Sequence, residues 1–405
     1  YISAFLLSLS LYTYRTMSLF TPLTFVVLIT IYRKQIFKLP LKHLLATGFL
    51  VAAISLPFLY STTLGAVDQP RIAQLSLISD TKVPIQVMRG RELDSGDLTN
   101  PQIGSRPVWY SYLFHSKPVV WAENLARNYY QAFSTDFLFL NGDPNLRHSP
   151  PNQGMLLGID IIGLSLGLWF VLTHLKDKRY QWLLSWLVLS PLPSALTVDG
   201  GNHASRLFIF SVPLLIVIGI GYWQAVKLIL KVKLPQLLLA PLVGLWLLLL
   251  TFYLHNYFVH YPVNSARRWG YGFQQSMLKV NQLQDQYQSI DMVASNDPPI
   301  IYYLFWTNVP PAQLQAYGTR FEKGLKKDMP LDKVSVIDWN TDLKGDTLAE
   351  KLKEDTLYLL TPQQIDINSQ NKTDLPKEVN LIDIITYPDT TPAFYLIEKI
   401  SPSHD

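Results

Sequence analysis

The sequence predicts a multi-pass α-helical membrane protein with about seven membrane segments and a C-terminal extracytoplasmic α/β domain. Of the 405 residues, 49% are hydrophobic and only 16% are charged, well under the roughly 25% usual in soluble domains. Apolar runs that approach the ~20 residues needed to cross a bilayer recur along the chain. After residue 262, short β-type runs alternate with helical patterns.

The predicted membrane segments are apolar runs separated by polar connections, at 1–11, 19–32, 43–64, 155–175, 180–198, 207–226 and 234–258. The first two runs are too short to span a bilayer without extension. We therefore interpret residues 1–63 as membrane helices truncated on the N-terminal side. Because no charged leader precedes the apolar run at Tyr1, we expect further chain upstream. Residues 153–261 supply four more predicted membrane helices.

Lysine and arginine concentrate in three connections, at 33–42, 176–179 and 227–233. These alternate with connections that lack a basic excess, and the positive-inside rule assigns the basic ones to the cytoplasm. We therefore expect a multi-pass protein of the plasma membrane. Residues 64–152, residues 199–205 and everything after 261 are then extracytoplasmic.

Within the predicted loop 64–152, apolar side chains recur at helical spacing over 119–139, which predicts a helix lying on the bilayer surface. The stretch 66–108 contains several Pro and Gly and is predicted to be irregular. In 262–405, five β-type runs predict a small α/β domain with a largely parallel sheet, at 289–294, 334–338, 356–361, 381–387 and 394–400.

Several classes of chemistry lack support in this sequence. The chain contains no cysteine, which excludes disulfides and thiolate chemistry. The α/β domain carries no glycine-rich phosphate loop, and the small net charge of +4 follows the predicted membrane topology. We therefore expect no nucleic acid among the partners.

Polar and ionisable residues collect at one predicted level of the membrane, at the outer ends of the helices. They are Tyr12, Tyr14, Arg15, Asp143, Arg147, His148, Asp199, His203 and Arg206. The planar fork of arginine suits a phosphate, and an ionisable residue at a helix end that faces a cavity is a functional candidate.

Simpler interpretations of these residues stay open. Arg15 and Arg206 can snorkel to the interface without a ligand. Asn-Gly-Asp-Pro at 141–144 and the glycines at 200–201 are also typical of structural turns. His148 and His203 could bind a metal together with Asp143 or Asp199. Two histidines far apart in sequence are weak evidence for a metal, so we assign no metal ligand and leave a divalent cation open.

Four motifs resemble those of a known enzyme family. They are Tyr-Thr-Tyr-Arg at 12–15, Phe-Leu-Asn-Gly-Asp at 139–143, Leu-Thr-x-Asp-Gly-Gly-Asn-His-Ala-Ser-Arg at 196–206 and Arg-Trp-x-Tyr-Gly at 268–272. The chain resembles the integral-membrane glycosyltransferases of the C superfold. The similarity is to the phospholipid-carrier-dependent group related to protein O-mannosyltransferases and to the aminoarabinose transferase of lipid A. It covers most of the chain through short motifs.

The resemblance implies a cell-envelope enzyme of the hexosyltransferase type. Such an enzyme moves a sugar from a polyprenyl-phosphate carrier in the membrane to an acceptor glycan, lipid or protein, with inversion. The chemistry needs a carboxylate base and cations that hold the departing phosphate. The family's base is an Asp in the first outer loop, which we expect upstream of Tyr1. The catalytic residue is therefore unassigned, and the chain alone is expected to be inactive.

The resemblance also implies roles for the candidate residues. Arg15 and Arg206 would bind the carrier phosphate, and Tyr12 and Tyr14 its head group or lipid. The others would shape the carrier site, and these are Asp143, Arg147, His148, Asp199 and His203. Two alternatives of other classes stay open, a transporter or flippase of a lipid-linked sugar and a membrane-tethered binding protein.

Overall fold

The chain folds as two compact units, Tyr1–Tyr257 and Phe258–Asp405. The computed structural model describes residues 1–63, 75–95, 108–293, 297–312, 333–337, 348–365 and 375–400. The units divide at residue 257, where the sequence predicted a boundary at 261. The finer division at 63 and 152 concerns membrane position and stays a prediction.

The N-terminal unit is built from α-helices. They are α1 Ile2–Leu9, α2 Met17–Ile36, α3 Leu41–Thr63, α4 Lys82–Ser95, α5 Ser111–Phe114, α6 Lys117–Gln131, α7 Asp160–Thr173, α8 Lys178–Leu189, α9 Leu192–Ala195, α10 Phe208–Ile229 and α11 Gln236–His255. Two π-helical stretches occupy Asp136–Leu140 and Asn256–His260.

Among the described residues, four helical segments are long and apolar enough to cross a membrane. They are Met17–Ile36, Leu41–Thr62, Phe208–Ile229 and Gln236–Arg268. The apolar windows of the second and fourth segments are 0% buried within the protein. A helix that is apolar on all sides and is exposed on the protein surface is typical of a lipid environment. The structure therefore indicates membrane association.

The prediction of seven membrane segments is wrong. The runs 1–11, 155–175 and 180–198 hold shorter helices, since α1 has 8 residues, α7 has 14 and α8 has 12. At a rise of about 1.5 Å per residue, α7 extends roughly 21 Å, short of the ~30 Å hydrocarbon core. Helix α8 ends at Leu189, just before Pro191, because proline cannot donate a helical hydrogen bond. In these three segments the helix is therefore shorter than the apolar run that predicted it.

The stretch 66–108, predicted to be irregular, contains the 14-residue helix α4. The prediction is wrong for that helix, while residues 66–74 and 96–107 lie outside the described residues. Val83 and Val87 of α4 are buried against Val120 of α6. Packing against a second helix therefore orders a polar segment whose own pattern did not predict a helix.

Helix α6 falls where the sequence predicted a surface helix at 119–139, but it ends at Gln131. Its buried positions are Val120, Asn124 and Asn128, spaced four residues apart on one face. Because two of the three are polar, this face packs through hydrogen bonds as well as apolar contact. The position of α6 relative to a bilayer surface stays a prediction.

Helices α7 and α10 approach each other closely through glycine. A Cβ added to Gly221 would lie 1.8 Å from the carbonyl oxygen of Gly163, and one added to Gly167 would lie 1.9 Å from that of Val217. Gly163 and Gly167 form the four-residue glycine spacing that is common where apolar helices pack backbone to backbone. This packing joins two segments that follow different polar loops.

The C-terminal unit contains a five-stranded sheet, formed by β1 Ser289–Val293, β2 Val334–Ile337, β3 Thr356–Leu360, β4 Val379–Thr386 and β5 Pro392–Lys399. The five predicted strands are therefore present. Its described helices are α12 Tyr261–Ser265, α13 Phe273–Leu283, α14 Pro299–Trp306 and α15 Leu348–Lys351. The strand order is β2-β1-β3-β5-β4.

The prediction of a largely parallel sheet is only half right. Strand β1 pairs in parallel with β2 and β3, whereas β5 pairs antiparallel with β3 and β4. Strands β4 and β5 are joined by the short turn at 387–391, which suits a hairpin and leaves no room for the crossover that parallel pairing requires. The short connection therefore sets their direction.

Asp291 is a buried carboxylate in central strand β1, with 5% of its surface exposed. Burial raises its pKa, and the positive charge of Lys353 opposes that shift. An acid with a raised folded pKa holds its proton longer in the folded state, so stability falls as pH rises from the unfolded pKa through the folded one. We expect Asp291→Asn to slow hydrogen exchange in β1 at neutral pH in the full chain, and the difference to vanish below about pH 3.8.

Asp389 supplies a control of opposite sign. Hydrogen bonds from Thr391, with a smaller effect of Arg267, lower the pKa of this carboxyl. Its stabilising effect is therefore present above the unfolded pKa and lost as pH falls through the folded one. Asp389→Asn should speed exchange at neutral pH and change nothing in acid. Equal effects of the two variants at neutral pH would contradict the assignment for Asp291.

Candidate functional site

Two polar loops of the N-terminal unit meet at Asp143. The first follows the π-helical stretch Asp136–Leu140 and turns sharply at Gly142, which has a φ of 68°. A Cβ at Gly142 would lie 2.3 Å from the carbonyl oxygen of Gln153, so only glycine fits. Asp143 Oδ1 then accepts the backbone N–H of Asn145 at 2.8 Å, a local turn that is typical of aspartate.

Asp143 also holds the second loop. Its Oδ2 accepts the backbone N–H of Ala204 at 2.7 Å and the ring Nδ1–H of His148 at 2.7 Å. The Asp143 side chain is 2% exposed, so the charged acceptor is shielded from bulk water and depends on these three donors. The Asp143 carboxylate therefore joins its own loop to the loop of Ala204, which lies 61 positions further along the sequence.

The two histidines of these loops face each other. The ring centroids of His148 and His203 lie 4.6 Å apart at an angle of 40°. Ser205 Oγ lies 3.1 Å from His203 Nδ1. Burial lowers the pKa of His203, and the charges of Arg206 and His148 lower it further, against the opposing effect of Asp143. His203 is therefore biased towards the neutral imidazole.

The second loop is shaped by glycine and by helix α6. A Cβ at Gly200 would lie 1.8 Å from the carbonyl oxygen of Ser194, and the Ser194 hydroxyl donates to the Gly200 carbonyl at 2.6 Å. From α6, Asn128 Nδ2 donates to the carbonyls of Ala195 and Thr197 at 3.2 and 2.9 Å. The loop is therefore held from both sides before it reaches His203.

Arg206 lies two residues before α10, a helix long enough to span a membrane. Its Nη1 donates to Thr197 Oγ1 at 2.7 Å and to the carbonyl of Val198 at 2.8 Å. These bonds orient the guanidinium along its own loop. Asp199, in the same loop, is exposed and has a left-handed φ of 56°.

The remaining candidates are not members of this cluster. Tyr12, Tyr14 and Arg15 are exposed in the connection between α1 and α2, and the Tyr12 hydroxyl donates to the Ile54 carbonyl of α3 at 2.7 Å. Arg147 is exposed beside His148. The structure thus brings together Asp143, His148 and His203, with Arg206 close enough to act on the charge of His203.

The same three side chains could hold a cation. One donor atom each from Asp143, His148 and His203 lies within 4.8 Å of the other two. Sequence reasoning considered Asp143 and Asp199 as alternatives for the carboxylate and assigned no metal ligand. Only the tertiary contact between the loops distinguishes the two aspartates.

Sequence reasoning missed two groups that build this site. The backbone N–H of Ala204 carries no sequence signal, because every residue other than proline has one. Asn128 does carry a signal, since it stands four residues after Asn124 and the pair predicts a polar stripe on α6. That stripe indicates a helix face that packs on polar backbone.

A cavity of about 520 Å³ lies within the C-terminal unit. Its lining includes Asp297, which follows β1, and Thr361, which follows β3. Ligands of open α/β sheets bind outside the carboxyl ends of parallel strands. Arg267 lies over the Tyr387 ring at 4.9 Å and pairs with Asp389 at 3.3 Å, which gives the cavity both aromatic and charged walls.

The structure is that of a membrane-associated protein in which Asp143, His148 and His203 form a polar cluster near the ends of apolar helices. Comparisons with models of protein families, with curated proteins and with solved structures find no match to this chain. The resemblance to membrane glycosyltransferases therefore stays a prediction that rests on the four motifs.

Proposed function

We propose that this chain is the carrier-binding part of a membrane glycosyltransferase. It would bind a polyprenyl-phosphate sugar and move the sugar to an acceptor with inversion. The observation that supports this most is the convergence of Asp143, His148 and His203 beside Arg206 at the start of α10. Ionisable groups held together at the end of a membrane-length helix suit a lipid-borne anionic head group.

A topology with four membrane crossings puts both loops of this cluster on the same side of the membrane. If the described spans are the crossings, the basic connections 33–42 and 227–233 fall on one side of the membrane. Residues 143–148 and 199–206 then fall on the other, as does the chain after 268. We propose that the second side is extracytoplasmic, because two of the three basic connections then lie in the cytoplasm. The third, 176–179, which the seven-segment prediction had put in the cytoplasm, lies on the second side in this topology.

The C-terminal unit would bind the acceptor in this scheme. Aromatic rings and charged side chains line its 520 Å³ cavity, and ring faces with hydrogen-bonding groups beside them suit a saccharide or a polar lipid head group. Acceptor binding by this unit is a separate proposal from carrier binding, and it can be wrong while carrier binding is right.

We expect Arg206→Ala in the full-length protein to lower sugar transfer from the polyprenyl-phosphate donor more than tenfold. A charge that holds the departing phosphate contributes at least ~2 kcal/mol to the transition state. Arg15→Ala should have a similar effect. The measurement is transfer of radiolabelled sugar to acceptor in reconstituted vesicles, with donor binding measured in parallel.

Arg179→Ala is the matched control, because Arg179 is an exposed cation in the first turn of α8, away from the cluster, and pairs with Asp177. It should leave transfer within about twofold of wild type. Arg206→Lys keeps the positive charge but loses the two-pronged guanidinium. A folded Arg206→Lys protein with reduced transfer would show that the loss comes from phosphate binding and not from misfolding. Transfer within about threefold of wild type in both alanine variants would contradict the phosphate assignment. Movement of the carrier across the vesicle without transfer would instead favour a flippase.

A further inference from the structure

Asp143, His148 and His203 form a compact cluster of one carboxylate and two imidazoles, here called the Asp–His–His cluster. The three donor atoms lie within 4.8 Å of one another. We propose that the Asp–His–His cluster binds a divalent transition metal of the zinc type. This inference rests on the geometry of the cluster and is independent of sugar transfer.

The spacing is close to what zinc requires. Tetrahedral zinc with bonds of about 2.0–2.1 Å separates its ligand atoms by about 3.3 Å. Asp143 Oδ2 and His148 Nδ1 now lie 2.7 Å apart, with a proton between them. A metal in place of that proton needs the pair to separate by only about 0.6 Å. The ring of His203 already lies 4.6 Å from that of His148.

The groups around the cluster hold its donors in place. Backbone N–H groups of Asn145 and Ala204 bind the two oxygens of Asp143 at 2.8 and 2.7 Å. Ser205 Oγ contacts His203 Nδ1 at 3.1 Å. Metal-binding carboxylates and histidines typically have such hydrogen-bonded partners, which fix the orientation of the donor.

The donor set selects the class of metal. Mg²⁺ and Ca²⁺ prefer sites made of oxygen ligands, whereas imidazole suits zinc, cobalt and nickel. Two histidines and one carboxylate are also the protein ligands of several open zinc sites, where a fourth position takes water or an anionic oxygen. The cluster should therefore bind Zn²⁺ or Co²⁺ and ignore Mg²⁺.

The test is direct measurement of bound metal on the full-length protein in detergent, purified without a polyhistidine tag. After treatment with a chelator, the protein is dialysed against Zn²⁺, with and without excess Mg²⁺, and bound zinc is counted by mass spectrometry. We expect one zinc per chain that Mg²⁺ does not displace. Bound Co²⁺ should give visible absorption bands typical of cobalt that is coordinated by histidine nitrogen atoms.

Variants connect the metal to the cluster. His148→Ala and His203→Ala should each weaken zinc binding at least tenfold. His115→Ala is the control, because His115 also pairs with one carboxylate, Asp94, at 3.2 Å, and it should bind zinc like wild type. His203→Ala leaves the hydrogen bonds of Asp143 in place, so it decides the result even if His148→Ala fails to fold.

Two results would overturn the proposal. One is a wild-type protein that binds less than a stoichiometric amount of zinc. The other is zinc binding that His203→Ala and His115→Ala lower equally, which would assign the metal to scattered surface histidines. Both readouts are independent of sugar transfer, so the metal site and the proposed enzyme can fail separately.

Discussion

Asp143→Ala should destabilise the N-terminal unit by about 2–4 kcal/mol, because it leaves three donors without their acceptor. The donors are the backbone N–H groups of Asn145 and Ala204 and the ring of His148. A hydrogen bond to a charged acceptor such as this carboxylate contributes more to stability than one between neutral groups. The loop that carries His203 should also loosen, since Asp143 is its link to the first loop. The measurement is thermal unfolding in detergent, together with proteolysis at the 199–206 loop.

Asp199→Asn is the control for this variant. Asp199 is exposed and has a left-handed φ of 56°, a conformation that asparagine also tolerates. It should change stability by no more than about 0.5 kcal/mol. If Asp143→Ala were as stable as Asp199→Asn, the hydrogen bonds of Asp143 would not be what joins the two loops.

Gly221→Ala should cost about 3 kcal/mol and separate α7 from α10. Its added methyl group would lie 1.8 Å from the Gly163 carbonyl oxygen, a clash with backbone that no rotamer change relieves. Because Asp143 and His148 precede α7 and His203 precedes α10, the same change should weaken zinc binding. Thermal unfolding and bound zinc are the two measurements.

Gly219→Ala is a matched control on the same helix, two residues away. A Cβ at Gly219 would meet no atom within 4 Å, and alanine favours the helix over glycine. We expect stability equal to or slightly above that of wild type. A loss of equal size in both variants would indicate that general effects on α10, and not the contact with α7, determine the outcome.

Much of the local structure could be predicted from the sequence. The five strands of the C-terminal unit fall where β-type runs predicted them, since strand patterning is local. The candidate residues of the two loops were also found, because turn residues beside ionisable ones precede apolar helices. Which of them meet could not be predicted, as the contact between Asp143 and Ala204 spans 61 positions.

Apolar content by itself determined that this protein has membrane-length helices and that its polar residues collect in loops. Only the tertiary structure decided how many of the apolar runs are helices of that length, since α7 has only 14 residues and α8 ends at Leu189, just before Pro191. It also decided that Asp143, and not Asp199, joins the two histidines. The physical reason is the same in both cases. Hydropathy is a sum over neighbouring residues, whereas a polar site depends on hydrogen bonds between residues that the fold alone brings together.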